Sequence, residues 1–234
     1  MFANNPIWHS DPFGDTIWVS KATYGSTMAA LRVLNSTEVG KLILKYYMTA
    51  AHDHIYIYGF DTDKSDGPNT GIAETNIAEN NTLLKNGKIK LATRDSKGNE
   101  KYANSSGFKF KDGDKNNLIG RNFTNNLHAQ YDEYDLAFVL YHEMKAHVKS
   151  GTGSPSDEHA KFGNYGYVKG MQLWYYDKDL GQSIMIVQPG TDAWKAFKEI
   201  LAKKVADGKG TTTNVKDLKY MNDWDKPAST TNSN

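Results

Sequence analysis

The residues best suited to chemistry in this 234-residue chain fall between Tyr134 and Gly163. An apolar run, Leu136-Ala137-Phe138-Val139-Leu140, leads into His142-Glu143, and His147 follows five positions after His142. Beyond a Gly/Ser/Pro segment lies Asp157-Glu158-His159. Three of the seven histidines and three carboxylates thus lie between residues 142 and 159. The chain has no cysteine, so a metal site must be built from imidazole and carboxylate. Zinc accepts both, and a catalytic zinc site uses about three protein ligands plus water.

On a helix at roughly 100° per residue, Leu136, Leu140, Glu143 and His147 share one face. That face is apolar at its start, so Glu143 and His147 point inward or into a cleft. An inward carboxylate or imidazole is costly unless paired or bound. The common helical zinc pattern has two histidines four apart, with a glutamate beside the first. Here the spacing is five, which on a regular helix sets the two imidazoles roughly 140° apart, too far to chelate one ion. A single-turn π-bulge absorbs one extra residue, and such bulges occur at functional sites.

The string His142-Glu143-Met144-Lys145-Ala146-His147 resembles the HExxxH variant of zincin metallopeptidases, the form found in the dipeptidyl-peptidase III family. The resemblance implies His142 and His147 as zinc ligands and Glu143 as general base. It also implies a third ligand from downstream: His159, with Asp157 or Glu158 as substitutes. A second arrangement stays open on geometry alone. Glu143 and His147, four apart, chelate from an unbulged helix, His159 completes the set, and His142 is the base or a supporting group. With zinc, either arrangement activates water for hydrolysis, and Tyr165, Tyr167 or Tyr175 are candidates to stabilise an oxyanion.

Other functions compete with this one. A His/Glu cluster also serves phosphodiester cleavage, which would make the chain a nuclease. The many Tyr and Trp, 14 and 5, also suit a non-enzymatic binding surface. A balance of 28 basic against 27 acidic residues argues against nucleic acid as partner, because nucleic-acid grooves are basic. The Lys-rich stretch 195–209 reads as a solvated helix face. His52-Asp53-His54 reads as a cap at a helix end.

The elements that must position the cluster follow from pattern. Ile17 and Val19 alternate in a strand over 16–20. Ser36 starts a helix with Val39, Leu42, Ile43, Tyr46 and Tyr47 on its buried face. Residues 55–60 and 88–93 are strands, residues 61–81 a loop with an edge strand, and Phe108–Phe110 a short strand. Asp112-Gly113-Asp114 is a turn. Asp132 or Asp135 caps a long helix ending near Lys149. A short helix over 157–162, a hairpin of strands 171–176 and 183–188, and a last helix capped by Thr191 complete the order. The expected fold is α+β, a mostly antiparallel sheet packed with helices. The metallopeptidase resemblance implies a zincin-like domain.

Asn4-Asn5-Pro6-Ile7 followed by Asp11-Pro12-Phe13-Gly14-Asp15 resembles the junction that ends the core of Rhs/YD-repeat proteins. That resemblance implies a variable toxin domain downstream, delivered by contact or a secretion system, with a cognate immunity protein as partner. The domain plan is then a junction or linker over 1–15, one catalytic domain over 16–226 and a disordered tail over 227–234. No signal peptide is visible and no apolar run approaches the ~18 residues of a membrane span. Secretion is therefore expected by a route without a cleaved signal, with a peptide or protein as substrate.

Overall fold

The computed structural model describes residues 16–60, 73–78, 83–84, 88–94, 97–104, 108, 110–111, 113–122, 131–149, 155–165 and 170–227. The junction over 4–15 and residues 228–234 of the tail lie outside the described residues. So does most of 61–81.

A four-stranded sheet forms the middle layer, in the order β1 (Ile17–Val19), β2 (Asp53–Phe60), β7 (Lys115–Asn122), β3 (Ala73–Ala78). Pairings β1–β2 and β2–β7 are parallel, and only the end strand β3 is antiparallel. This corrects the expectation of a mostly antiparallel sheet. The reason lies in connectivity: the chain leaves β1 and β2 through long excursions, and a parallel partner requires such a crossover. The two excursions carry α1 (Tyr24–Asn35) with α2 (Glu38–Thr49), and then β3 to β6. Antiparallel pairing appears in two smaller sheets. These are β4 (Leu83–Leu84), β5 (Lys88–Arg94) and β6 (Glu100–Asn104), and the hairpin β8 (Trp174–Asp177) with β9 (Gln182–Met185). Phe108 and Phe110 form no strand; Phe108 is buried as a side chain only.

Side chains alternate across β2 and sort the core into two. Ile55 and Ile57 face the helices, whereas Tyr56, Tyr58 and Phe60 join Leu118, Ile89, Leu91 and Phe108 on the opposite side. The middle sheet is therefore covered on both faces, as parallel strands require. The helical layer holds α1, α2, α3 (Glu133–His142), α5 (Asp192–Ala206) and α6 (Thr212–Trp224). Phe138 of α3 meets Phe197 of α5 edge-on at 5.4 Å. Thr37, not Ser36, caps α2, accepting from the Gly40 N–H, while the Ser36 hydroxyl donates back to Val33 in α1. Leu42 and Tyr46 of α2 are exposed, and Val39, Ile43, Leu44 and Tyr47 are its buried face. Among the described residues no helix is long and apolar enough to cross a membrane.

Helix α3 opens with a capping box, Asp132 accepting from Tyr134 and Asp135 N–H while Asp135 accepts from Asp132 N–H. Asp135 is fully buried and also accepts from the backbone N–H groups of Gly170, at 3.1 Å, and Met171, at 2.7 Å. Asn214 of α6 donates to both carbonyls of the same pair, and Asp217 accepts from Leu173 N–H. These bonds hold Met171 at φ 50°, a conformation that side-chain-bearing residues rarely adopt. Asp135→Ala leaves buried N–H groups without acceptors. It is expected to cost about 3 kcal/mol of stability, read as a lowered urea midpoint with unchanged m-value.

A candidate metal centre on a widened helix

The apolar face of α3 carries the chain inward, and at His142 the winding changes. Residues Glu143–Lys149 form a π-helix, a longer widened stretch than a single-turn bulge. Its i→i+5 winding brings His147 round to the side of His142. Met144, Ala146 and Val148 are buried on the core side of this stretch. The third histidine comes from α4 (Pro155–Phe162), whose end is fixed by Gly163. Gly163 has φ 80° and returns its N–H to the His159 carbonyl at 2.8 Å. A Cβ on Gly163 would come within 2.4 Å of the Thr191 hydroxyl oxygen, so α4 ends directly against the cap of α5.

Together these elements bring the Nε2 atoms of His142, His147 and His159 to one point. The three separations are 3.1 Å for 142–147, 3.2 Å for 142–159 and 3.1 Å for 147–159. The group could hold a metal ion. Such a triangle has a circumradius of ~1.8 Å, small enough that all three nitrogens could bind one ion at the usual zinc–nitrogen distance of about 2.0–2.1 Å. His142 is buried, with the Phe162 ring edge-on at 4.9 Å, and His147 and His159 are partly open.

The outer ring nitrogens decide whether the inner ones carry lone pairs. Nδ1 of His147 lies 2.6 Å from Glu158 Oε2, so it donates there and leaves Nε2 free to bind. Nδ1 of His142 lies 3.3 Å from the side-chain amide of Asn164. The amide atom placed there is Nδ2; with the amide turned by half, Oδ1 would accept Nδ1–H and free the His142 Nε2 for a metal. Asn164 is held there by a bridge to Val187.

The sequence-derived candidates separate accordingly. His142, His147 and His159 converge. Glu158 faces the back of His147 instead of the convergence point. Asp157 lies in α4, and its side chain is outside the described residues. Glu143 follows His142 directly, is 6% exposed, and accepts from the Thr75 hydroxyl of β3 at 2.5 Å. Of the two geometric arrangements, the structure has the widened helix. The Tyr165 hydroxyl donates to Gln188, the Tyr175 hydroxyl to Asp177, and Tyr167 is outside the described residues. Asn164 and Thr75 had no signal in the sequence: one follows a helix end, the other lies in a polar stretch. His52 and His54 both face Asp114, at 2.7 and 2.8 Å, so that cluster ties the start of β2 to the turn before β7.

Burial, then the neighbouring His147 and His159, push the His142 imidazole down to about 3, and burial with His147 lowers His159. Both shifts place the folded value below that of a free imidazole, about 6.5. Between these limits the unfolded chain binds protons that the folded chain refuses. Stability of the metal-free protein is therefore expected to be full above about pH 6.5 and to fall as pH drops toward 3, read by thermal melts across that range. Glu158→Gln is expected to weaken metal binding about 10–100-fold with α4 still folded, read by chelator competition.

Comparison of the chain with protein-family models, with curated proteins and with solved structures finds no match.

Proposed function

We propose that this protein is a zinc-dependent hydrolase of zincin-like type that cleaves peptide bonds. The observation that carries the proposal is the convergence of three imidazole Nε2 atoms within 3.1–3.2 Å of one another. An all-nitrogen set of three matches the ligand type and number of a catalytic zinc site, which would take water as its fourth ligand. Structural zinc sites are closed by four ligands. When bound, zinc would lower the pKa of water and polarise a carbonyl.

The remaining tasks fall to the chain's own residues. Glu143, adjacent in sequence to a ligand and buried, is the group suited to take a proton from water and return it to the leaving amine. The Thr75 hydroxyl orients its carboxylate from β3. Glu158 and Asn164 fix the ring orientations of His147 and His142. The peptide reading draws support from β3, the end strand of the four-stranded sheet, which touches the base. A sheet edge is a template for an extended peptide. The Asn4–Asp15 junction supports a delivered toxin matched by an immunity protein in its producer.

Metal analysis of the purified protein is expected to find one zinc per chain. Glu143→Gln is expected to retain zinc and lose about 10²–10⁴ of peptide hydrolysis; His159→Ala is expected to lose both. Hydrolysis of RNA or DNA instead of peptides, abolished in Glu143→Gln, would reassign the site to a nuclease. Absence of zinc together with unchanged activity in His147→Ala would remove the metal from the mechanism.

A further inference from the structure

A widened helix is rare and competes with ordinary α-winding, so contacts from outside the helix that favour the wider form matter. Two side chains from other elements reach carbonyls of Glu143–Lys149. The Tyr47 hydroxyl of α2 donates to the Met144 carbonyl at 3.0 Å, and the Lys115 ammonium of β7 donates to the Val148 carbonyl at 3.0 Å. These two carbonyls bracket His147, three residues before it and one after. Tyr47 is fully buried, and burial pushes its phenol well above the usual range, so it is a permanent donor. Its ring packs edge-on against Tyr46 at 4.9 Å, which limits its freedom to move away. Lys115 is anchored at its own backbone, where its N–H donates to the His52 carbonyl at 2.8 Å. The two supports therefore come from the helical layer and from the sheet, on separate stretches of the chain.

We propose that Tyr47 and Lys115 are positioning residues of the metal centre: by holding the Met144 and Val148 carbonyls they keep residues 143–149 widened and His147 beside His142. Neither touches the ion or the three imidazoles. If the stretch tightened to an ordinary helix, the two rings would swing roughly 140° apart and the set would fall to two ligands. The inference rests on the metal reading of the three histidines and assigns it a support that no ligand pattern reveals.

The test uses Co²⁺ titrated into the full chain after chelation, in competition with a chelator, reading affinity and the visible absorption of the saturated protein. Wild type is expected to bind one Co²⁺ with the intense band of a four-coordinate site. Tyr47→Phe keeps the ring and removes the donor. It is expected to weaken binding tenfold to a hundredfold, as loss of an outer support does, and to dim or shift the saturated band. A role in folding alone would leave the saturated band as in wild type. Lys115→Met, judged by the same two readings, decides the matter should Tyr47→Phe fail to fold. Wild-type affinity and band in the folded variant overturn the inference. Failure of the wild type to bind Co²⁺ overturns the metal reading itself.

Discussion

Two imidazoles five residues apart on one helix can face a single point only if the helix between them is wound more loosely than an α-helix. The π-helical stretch Glu143–Lys149 meets that constraint, and much else in the structure is arranged around it. Such stretches are rare and occur mostly as single turns inside α-helices, frequently at functional sites. Here the stretch is walled by buried Met144, Ala146 and Val148 and met by donors from α2 and β7. The third histidine arrives on a separate short helix, α4, and Gly163, the residue after it, abuts the cap of α5. Convergence of three nitrogens is thus a property of the packed helical layer and not of one motif.

Polar groups do a large share of the positioning. Buried Asp135 gathers three backbone N–H groups at the start of α3, two of them from residues 170 and 171. Helix α6 docks through Asn214 and Asp217, which bond the backbone of residues 170–173. A fully bonded polar network in a low-dielectric interior specifies one arrangement more narrowly than apolar contact does. The helix that leads into the histidine cluster is therefore registered at its N-terminal end by hydrogen bonds and at its other end by the histidines and their supports.

How far the sequence reveals this depends on whether each element is held by apolar pattern. The strand over 55–60, a cap at Asp132 or Asp135, the cap at Thr191 and a widened helix as one of two arrangements were legible, because each is local chemistry or simple angular arithmetic. His159 was the first of three candidates for the third group, with Asp157 and Glu158 as substitutes, and the sequence did not decide among them. Strand β7 was not, because KNNLIGRN carries Asn116 and Asn117 in its buried part. Their side-chain NH2 groups donate to the Lys111, Asp114 and His54 carbonyls and to Asp53. Helix α6 lacks an apolar stripe for the same reason: its buried set is Asn214, Asp217 and Met221. Helix α1 begins without a side-chain cap, with Thr23 making no such bond, so nothing announced its start. The parallel pairing of β2 with β7 escaped pattern reading because it joins segments far apart in the chain. Whether Glu158 binds an ion or braces a histidine depends on side-chain direction, which spacing does not encode.

That parallel pairing has a consequence for how the molecule comes together. Asp53 lies opposite Lys115, and the whole β3–β6 region intervenes. The pair can close only after a long loop has given up its freedom, and sheets of high sequence separation are slow to form. The histidine cluster spans only residues 142 to 159, so its own closure is short-range. The Lys115 contact to Val148, however, ties the short-range cluster to the late strand. The histidine cluster can be gathered early, yet it reaches its finished geometry only when the slowest part of the sheet has formed.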